Sequence, residues 1–157
     1  MPRIQLKAMV PARPEAVYEH VTGFAVTGRT GRRALEEKYG RLVGRDGDTY
    51  SFQDTARKDG PNAPKDDSPE GVIWRCTFDP PKRRIMEALD AKWADRTDWF
   101  EPWEEGTLWT VVWVGKSRGF RIFAQWLLFQ LKGKRQAIAG VVRPVVAHFE
   151  EVNGRQI

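Results

Sequence analysis

One cysteine, Cys76, and two histidines, His20 and His148, are all that this chain of 157 residues offers of the side chains best suited to metals and covalent cross-links. A lone thiol closes no intramolecular disulfide and makes no multi-cysteine metal site, so Cys76 reads as a core residue and leaves the redox compartment open. Neither histidine stands one helical turn from a second ligand with an acid nearby, so no metal and no cofactor is expected. No apolar run approaches the roughly 18 residues of a membrane span. The longest, residues 123–129, is interrupted by Gln125. The opening MPRIQLKAMVPARPE lacks the apolar core of a secretory signal and reads directly as a strand, which makes a cytoplasmic location the expectation. Also missing are a nucleophile elbow, a P-loop and a dinucleotide fingerprint, since Gly115-Lys116-Ser117 has no glycine-rich loop before it.

Acidic residues are outnumbered by basic ones, 21 to 26, for a formal net charge of +5. Its placement does not point to nucleic acid. Arg29, Arg32 and Arg33, then Lys82, Arg83 and Arg84, then Lys132, Lys134 and Arg135 form small clusters separated by acids such as Asp66, Asp67 and Glu70. They read as solvated faces, and no zinc-finger, RNA-recognition or helix-turn-helix signature accompanies them. With 41% hydrophobic and 30% charged residues, the composition is that of a globular protein, and the length suits one domain over residues 1–157.

What the chain has is one sustained helical pattern near its end. From Arg118 onward, Leu127, Leu131, Ile138, Val141, Val145 and Val152 recur at the spacing of a single apolar face, which Phe120, Phe123 and Ala124 extend backwards. Ile122, Trp126 and Phe129 form a second stripe opposite it, so the first half of the helix is apolar nearly all round. Gly133, Gly140 and Pro144 predict one or two bends.

Ahead of this helix the period is two. Ile4, Leu6, Ala8 and Val10 alternate with polar neighbours as a first strand, and Pro14 with Glu15 opens a helix whose inner face is Val17, Tyr18, Val21 and Phe24. Glycines 23, 28 and 31 interrupt it, and a second short helix is predicted over 31–38. A hairpin follows, 41–45 and 49–54 about an Asp46-Gly47 turn, with Tyr50 and Phe52 on one face. Residues 57–71, rich in proline, glycine and aspartate, read as an exposed loop or lid. Val72, Trp74, Cys76 and Phe78 mark the fourth strand, 84–89 the fifth, 93–103 the sixth with an irregularity at Pro102, and 107–114 the seventh.

Strand, two short helices, about six to seven strands and a long final helix have one economical arrangement: an α+β helix-grip fold, a curved antiparallel sheet wrapped around the terminal helix. Two stretches, IQLKAMVPARPEAVYEHVTGF and WFEPWEEGTLWTVVWVGKSRGF, resemble the START-like, or SRPBCC, superfamily, in particular its polyketide cyclase/dehydrase-like and lipid-transport-like members. The resemblance spans nearly the whole chain as a pattern of hydrophobicity and turns. It implies an interior cavity between sheet and terminal helix, used across the family mostly for apolar or aromatic ligands and sometimes for cyclisation or dehydration.

Seven tryptophans, at 74, 93, 99, 103, 109, 113 and 126, fall on predicted strands and on the first half of the last helix, either as core or as pocket walls. The expected ligand-binding set is Tyr50, Phe52, Trp74, Trp109, Trp113, Phe120, Phe123 and Leu127, closing on a small hydrophobic or aromatic molecule. A cyclase/dehydrase-like enzyme is the alternative, with Tyr50, His148 or one of Glu87, Asp95, Asp98 and Glu101 as acid or base. A third reading is a protein or membrane surface at residues 118–135, where Arg118, Arg121, Lys132, Lys134 and Arg135 flank the apolar half-helix. The partners expected are therefore a small apolar molecule, no nucleic acid, at most a peripheral membrane contact, and a homodimer as an open option.

Overall fold

The structure, a computed structural model, describes residues 3–27, 29–53, 73–89, 94–115 and 120–155. The predicted loop at 57–71, Val72 and Trp93 lie outside them. Strand β1 (Arg3–Val10) leads into helices α1 (Pro14–Thr22) and α2 (Arg32–Tyr39). Six further strands follow: β2 (Arg41–Asp46), β3 (Thr49–Gln53), β4 (Ile73–Asp79), β5 (Arg83–Ala88), β6 (Ala94–Trp103) and β7 (Gly106–Gly115). They form one curved antiparallel sheet in the order β1-β7-β6-β5-β4-β3-β2, so the first strand pairs with the last and every other pairing joins chain neighbours.

Local chemistry explains the boundaries. Pro14 begins α1 where a missing N–H costs no hydrogen bond, and Gly23 ends it at φ 67, with its N–H on the Glu19 carbonyl. The Thr22 hydroxyl closes the same end, donating to the Tyr18 carbonyl and accepting from the Phe24 N–H. Between β2 and β3 the central turn residues are Gly47 and Asp48, one position later than predicted, and Gly47 takes the left-handed φ of 60 that glycine tolerates. Pro102 leaves the β6–β7 ladder in register. The Phe100 N–H points away from β7, to the Lys82 carbonyl, so the Pro102 nitrogen two residues on faces the same way, beyond the end of β5, where no ladder bond is lost.

Gly106 has a different reason. A methyl group there would overlap the Val10 carbonyl oxygen at the junction of β1 and β7, and backbone cannot yield as a flexible side chain does. Gly106→Ala is therefore expected to cost stability near or above the upper end of the about 1–3 kcal/mol usual for overpacking. Chemical denaturation would check it, and a cost within experimental error would show that the strand end adjusts freely.

The terminal helix runs unbroken through residues 120–155 as α3 (Phe120–Leu128), a π-helical turn (Phe129–Gly133), α4 (Lys134–Ala137), a second π-helical turn (Ile138–Val142) and α5 (Arg143–Arg155). Right-handed helical backbone continues across the junctions at Leu128, Lys134, Ile138 and Arg143. The interruptions coincide with Gly133, Gly140 and the approach to Pro144, whose missing donor a wider turn accommodates.

Alternation sets the inner face of the sheet. Val10 from β1, Tyr50 and Phe52 from β3, Cys76 and Phe78 from β4, Phe100 from β6 and Trp109 and Val111 from β7 are buried there. Val17, Tyr18, Val21 and Phe24 from α1 and its exit, with Leu35 and Tyr39 from α2, cover this surface. Phe24 stacks on Phe78 with ring centroids 4.3 Å apart, and Tyr39 stacks on Phe52 at 5.0 Å. The C-terminal half of the long helix adds Phe149, buried, and Val141, Val142, Val145 and Val146, half-buried.

Candidate functional site

Burial on the inner face is uneven. The register places Trp113 opposite Arg96, Arg96 opposite Met86, Met86 opposite Cys76, and Trp74 opposite Ala88. Trp74, Met86, Arg96 and Trp113 all point inward by alternation but are only half-buried, whereas Tyr18, Phe52, Phe78 and Trp109 are closed off from solvent. The aromatic filling supplied by α1 and α2 thus stops short of one end of the sheet. What stands at that end is two indole rings, a thioether and a guanidinium.

Directly beneath lies a buried polar network. Arg84 on β5 and Asp98 on β6 are register partners, with side chains 3% and 0% exposed. Arg84 Nε and Nη2 donate to Asp98 Oδ2 at 3.1 and 2.7 Å. Arg96 donates to the same carboxylate, Nη2 to Oδ1 at 2.9 Å and Nε to Oδ2 at 3.1 Å, and Trp109 Nε1 adds a bond to Oδ1 at 3.0 Å. Arg84 Nη1 donates to Tyr39 Oη at 2.9 Å and to the Val21 carbonyl at 3.3 Å, while the Tyr39 hydroxyl donates to the Thr22 carbonyl. Sheet, α1 and α2 are thereby pinned together through one guanidinium.

Burial alone would favour a protonated Asp98, but Arg84 and Arg96 outweigh it and hold the carboxyl below the usual carboxylate range. Burial pushes the other way on Arg84, where Asp98 and Tyr39 keep the guanidinium charged. Arg96 is lowered, by burial first, with Asp98 opposing and Arg84 adding to the shift. Burial raises the Tyr39 phenol to about 12 and the Cys76 thiol to about 12, so both are neutral at physiological pH. Lys38 on α2 is lowered by burial and by the nearby Arg84 and Arg96. Two guanidinium groups therefore share one carboxylate, and the site carries surplus positive charge. Arg96 Nη1 has no hydrogen-bond partner among the described residues, and its guanidinium carbon lies 5.4 Å from the centroid of the Trp113 ring.

The residues expected to bind a ligand fall into three groups. Tyr50, Phe52 and Trp109 are buried in the core and packed against other side chains. Trp74 and Trp113 stand at the half-open end, half-buried and packed against the edge of the same core. Phe120, Phe123 and Leu127 are 87%, 60% and 42% exposed on α3, instead of being brought against Tyr50 and Phe52, because α1, α2 and Phe149 already occupy that surface. Of the candidate acids, Asp98 alone joins the network. Glu87 lies on the outer side, 4.0 Å from Arg75, and Asp95 accepts from the Ala88 N–H. His148 stacks on His20 at 4.1 Å, between α1 and α5. Arg84, expected on a solvated face, is buried instead, and Arg96 was missed, although a signal existed: they share the inward parity of Met86 and Phe100. Trp99 and Trp103 are outward, and Trp99 lies beneath the Arg83 guanidinium. A separate surface cleft of about 390 Å³ lies between Met9, Trp103 and Asn153, but Glu104, Glu105 and Glu150 give it the opposite charge.

No protein-family model matches the sequence, and no curated protein does. Among solved structures, the chain is similar to TTHA0849 from Thermus thermophilus, with 17% identity over 96% of this chain and 95% of that one and a TM-score of 0.48. Protein Ms6760 from Mycobacterium smegmatis shares 18% over 94% and 92%, also at 0.48. The Aha1 dimer from Colwellia psychrerythraea shares 17% over 87% and 96%, at 0.45. Likeness at these levels says nothing about activity, and the strand order, the antiparallel register and the long terminal helix carry the α+β helix-grip assignment by themselves.

Proposed function

We propose that the chain binds a small, flat aromatic molecule bearing an acidic group, with its ring system among Trp74, Met86 and Trp113 and its anion on Arg96. The observation that carries this reading is the surplus cation at the half-open end of the inner face: Arg96 spends part of its guanidinium on Asp98 and leaves Nη1 for another acceptor. A charge-assisted hydrogen bond there contributes about 1.5–3 kcal/mol, and aromatic contact adds about 0.5–1.5 kcal/mol. Cyclase- or dehydrase-like chemistry has less support. Asp98 is saturated with donors and held ionised, and Tyr39 titrates far above neutrality, so neither is poised to move a proton.

Titration with 2-naphthoate and with the uncharged 2-naphthylmethanol, read by tryptophan fluorescence and thermal shift, tests the proposal. The acid should bind at least about tenfold more tightly, the equivalent of about 1.4 kcal/mol. Arg96→Gln, confirmed as folded by a cooperative melt, should erase that preference while keeping the response to the alcohol. Equal affinities in the native protein, or no saturable response to either compound, would sink the idea.

A further inference from the structure

The first half of the terminal helix presents its apolar side chains to solvent. Phe120 is 87% exposed, Phe123 60%, Leu127 42%, Leu128 59% and Leu131 65%. At helical spacing, Phe120, Phe123, Leu127 and Leu131 form one stripe with Leu128 at its border. A continuous exposed stripe of this size marks a contact surface.

Charge identifies the other side of the contact. Between Gly106 and Phe149 the sequence contains no aspartate and no glutamate. The charged residues of the helix before Glu150 are all basic: Arg121, Lys132, Lys134, Arg135 and Arg143. Lys132, Lys134, Arg135 and Arg143 are exposed. Lysine is depleted in the cores of protein–protein interfaces, whereas at a lipid surface its long stem covers apolar area and its ammonium reaches the headgroups. No helix of the described residues is long and apolar enough to cross a membrane, so an apolar stripe bordered by cations suits a helix lying in the plane of the interface.

We infer that residues 120–135 dock on an anionic lipid surface, with the aromatic and leucine side chains in the acyl boundary and Lys132, Lys134 and Arg135 against acidic headgroups. This surface is separate from the inner-face site around Arg96, which reaches solvent at the end of the sheet, and the two are tested independently.

The experiment is co-sedimentation of the full chain with phosphatidylcholine vesicles and with vesicles containing about one-third phosphatidylserine, at low and physiological salt. Binding to the anionic vesicles should exceed binding to the neutral ones by roughly tenfold or more and weaken with salt, as expected when each basic residue near the surface contributes about fivefold. Lys134→Ala with Arg135→Ala should lose most of the preference. Phe120→Ser with Leu128→Ser and Leu131→Ser should abolish binding while leaving the thermal midpoint unchanged, because these side chains are exposed in the native fold. Binding indifferent to lipid charge, or no binding, overturns the proposal. So does a triple variant whose only change is conversion of a dimer to a monomer in sedimentation, which would assign the stripe to a second copy of the chain.

Discussion

Asp98→Leu is expected to destabilise the fold by about 3–5 kcal/mol, the usual cost of removing one partner of a buried ion pair. The loss is large because it strands two cations. Arg84, with 3% of its side chain exposed, is shut off from the solvent that could replace the carboxylate, and Arg96 loses all its hydrogen bonds to the same group. A urea denaturation curve measures the effect, with the slope checked for constancy so that the shift in midpoint reports stability. Arg84→Met in the Asp98→Leu background should recover part of the loss, since an apolar pair of similar volume removes the stranded charge beside Val21 and Tyr39. A cost below about 1 kcal/mol for Asp98→Leu would mean that water reaches the pair and that the surplus charge at Arg96 is solvated. The pH dependence has a definite sign. The folded-state pKa of Asp98 is depressed, so its contribution is complete above the unfolded carboxylate value of about 3.9 and is lost as pH falls through the lower folded value. The difference between native protein and Asp98→Asn should therefore hold from neutrality down to mildly acidic pH and close only in stronger acid.

The parts of this fold that were legible in the sequence are those set within a few residues of one another. Ile4, Leu6, Ala8 and Val10 show their inward face because alternation is local, and Pro14 and Gly23 punctuate the chain by their own backbone chemistry. The buried cluster of Arg84, Asp98 and Arg96 was hidden because it depends on register between strands. Arg84 and Asp98 are 14 positions apart, and a slip of one residue between β5 and β6 would send one of the two outward. The terminal helix posed a different difficulty. Its first half carries two apolar stripes, one with Phe120, Phe123 and Leu127 and the other with Ile122, Trp126 and Phe129, so periodicity could not choose which one the sheet receives. The choice is tertiary: α1 and α2 fill the inner face with Phe24 and Tyr39, and the first stripe is left outside.

Trp109→Ala is expected to cost about 3–5 kcal/mol, as is usual for truncating a fully buried large aromatic, whereas Trp109→Phe should cost less, about 1–3 kcal/mol. Trp109 is 0% exposed, lies parallel to Phe100 with centroids 6.4 Å apart, and donates its indole N–H to Asp98. Alanine removes both the packing and the donor; phenylalanine keeps most of the packing and leaves Asp98 Oδ1 to Arg96 alone. Comparing the two by denaturation separates the cavity from the hydrogen bond. The same pair of variants also locates the ligand. If the acidic aromatic molecule sits at the half-open end, its fluorescence response comes from Trp74 and Trp113, and Trp109→Phe should keep both the response to 2-naphthoate and its preference over the alcohol. Loss of the response in a stable Trp109→Phe protein would place the ligand in the deep core beside Asp98, where Trp109 rather than Trp113 reports it, and would require the packing of Tyr18, Phe78 and Phe100 to open.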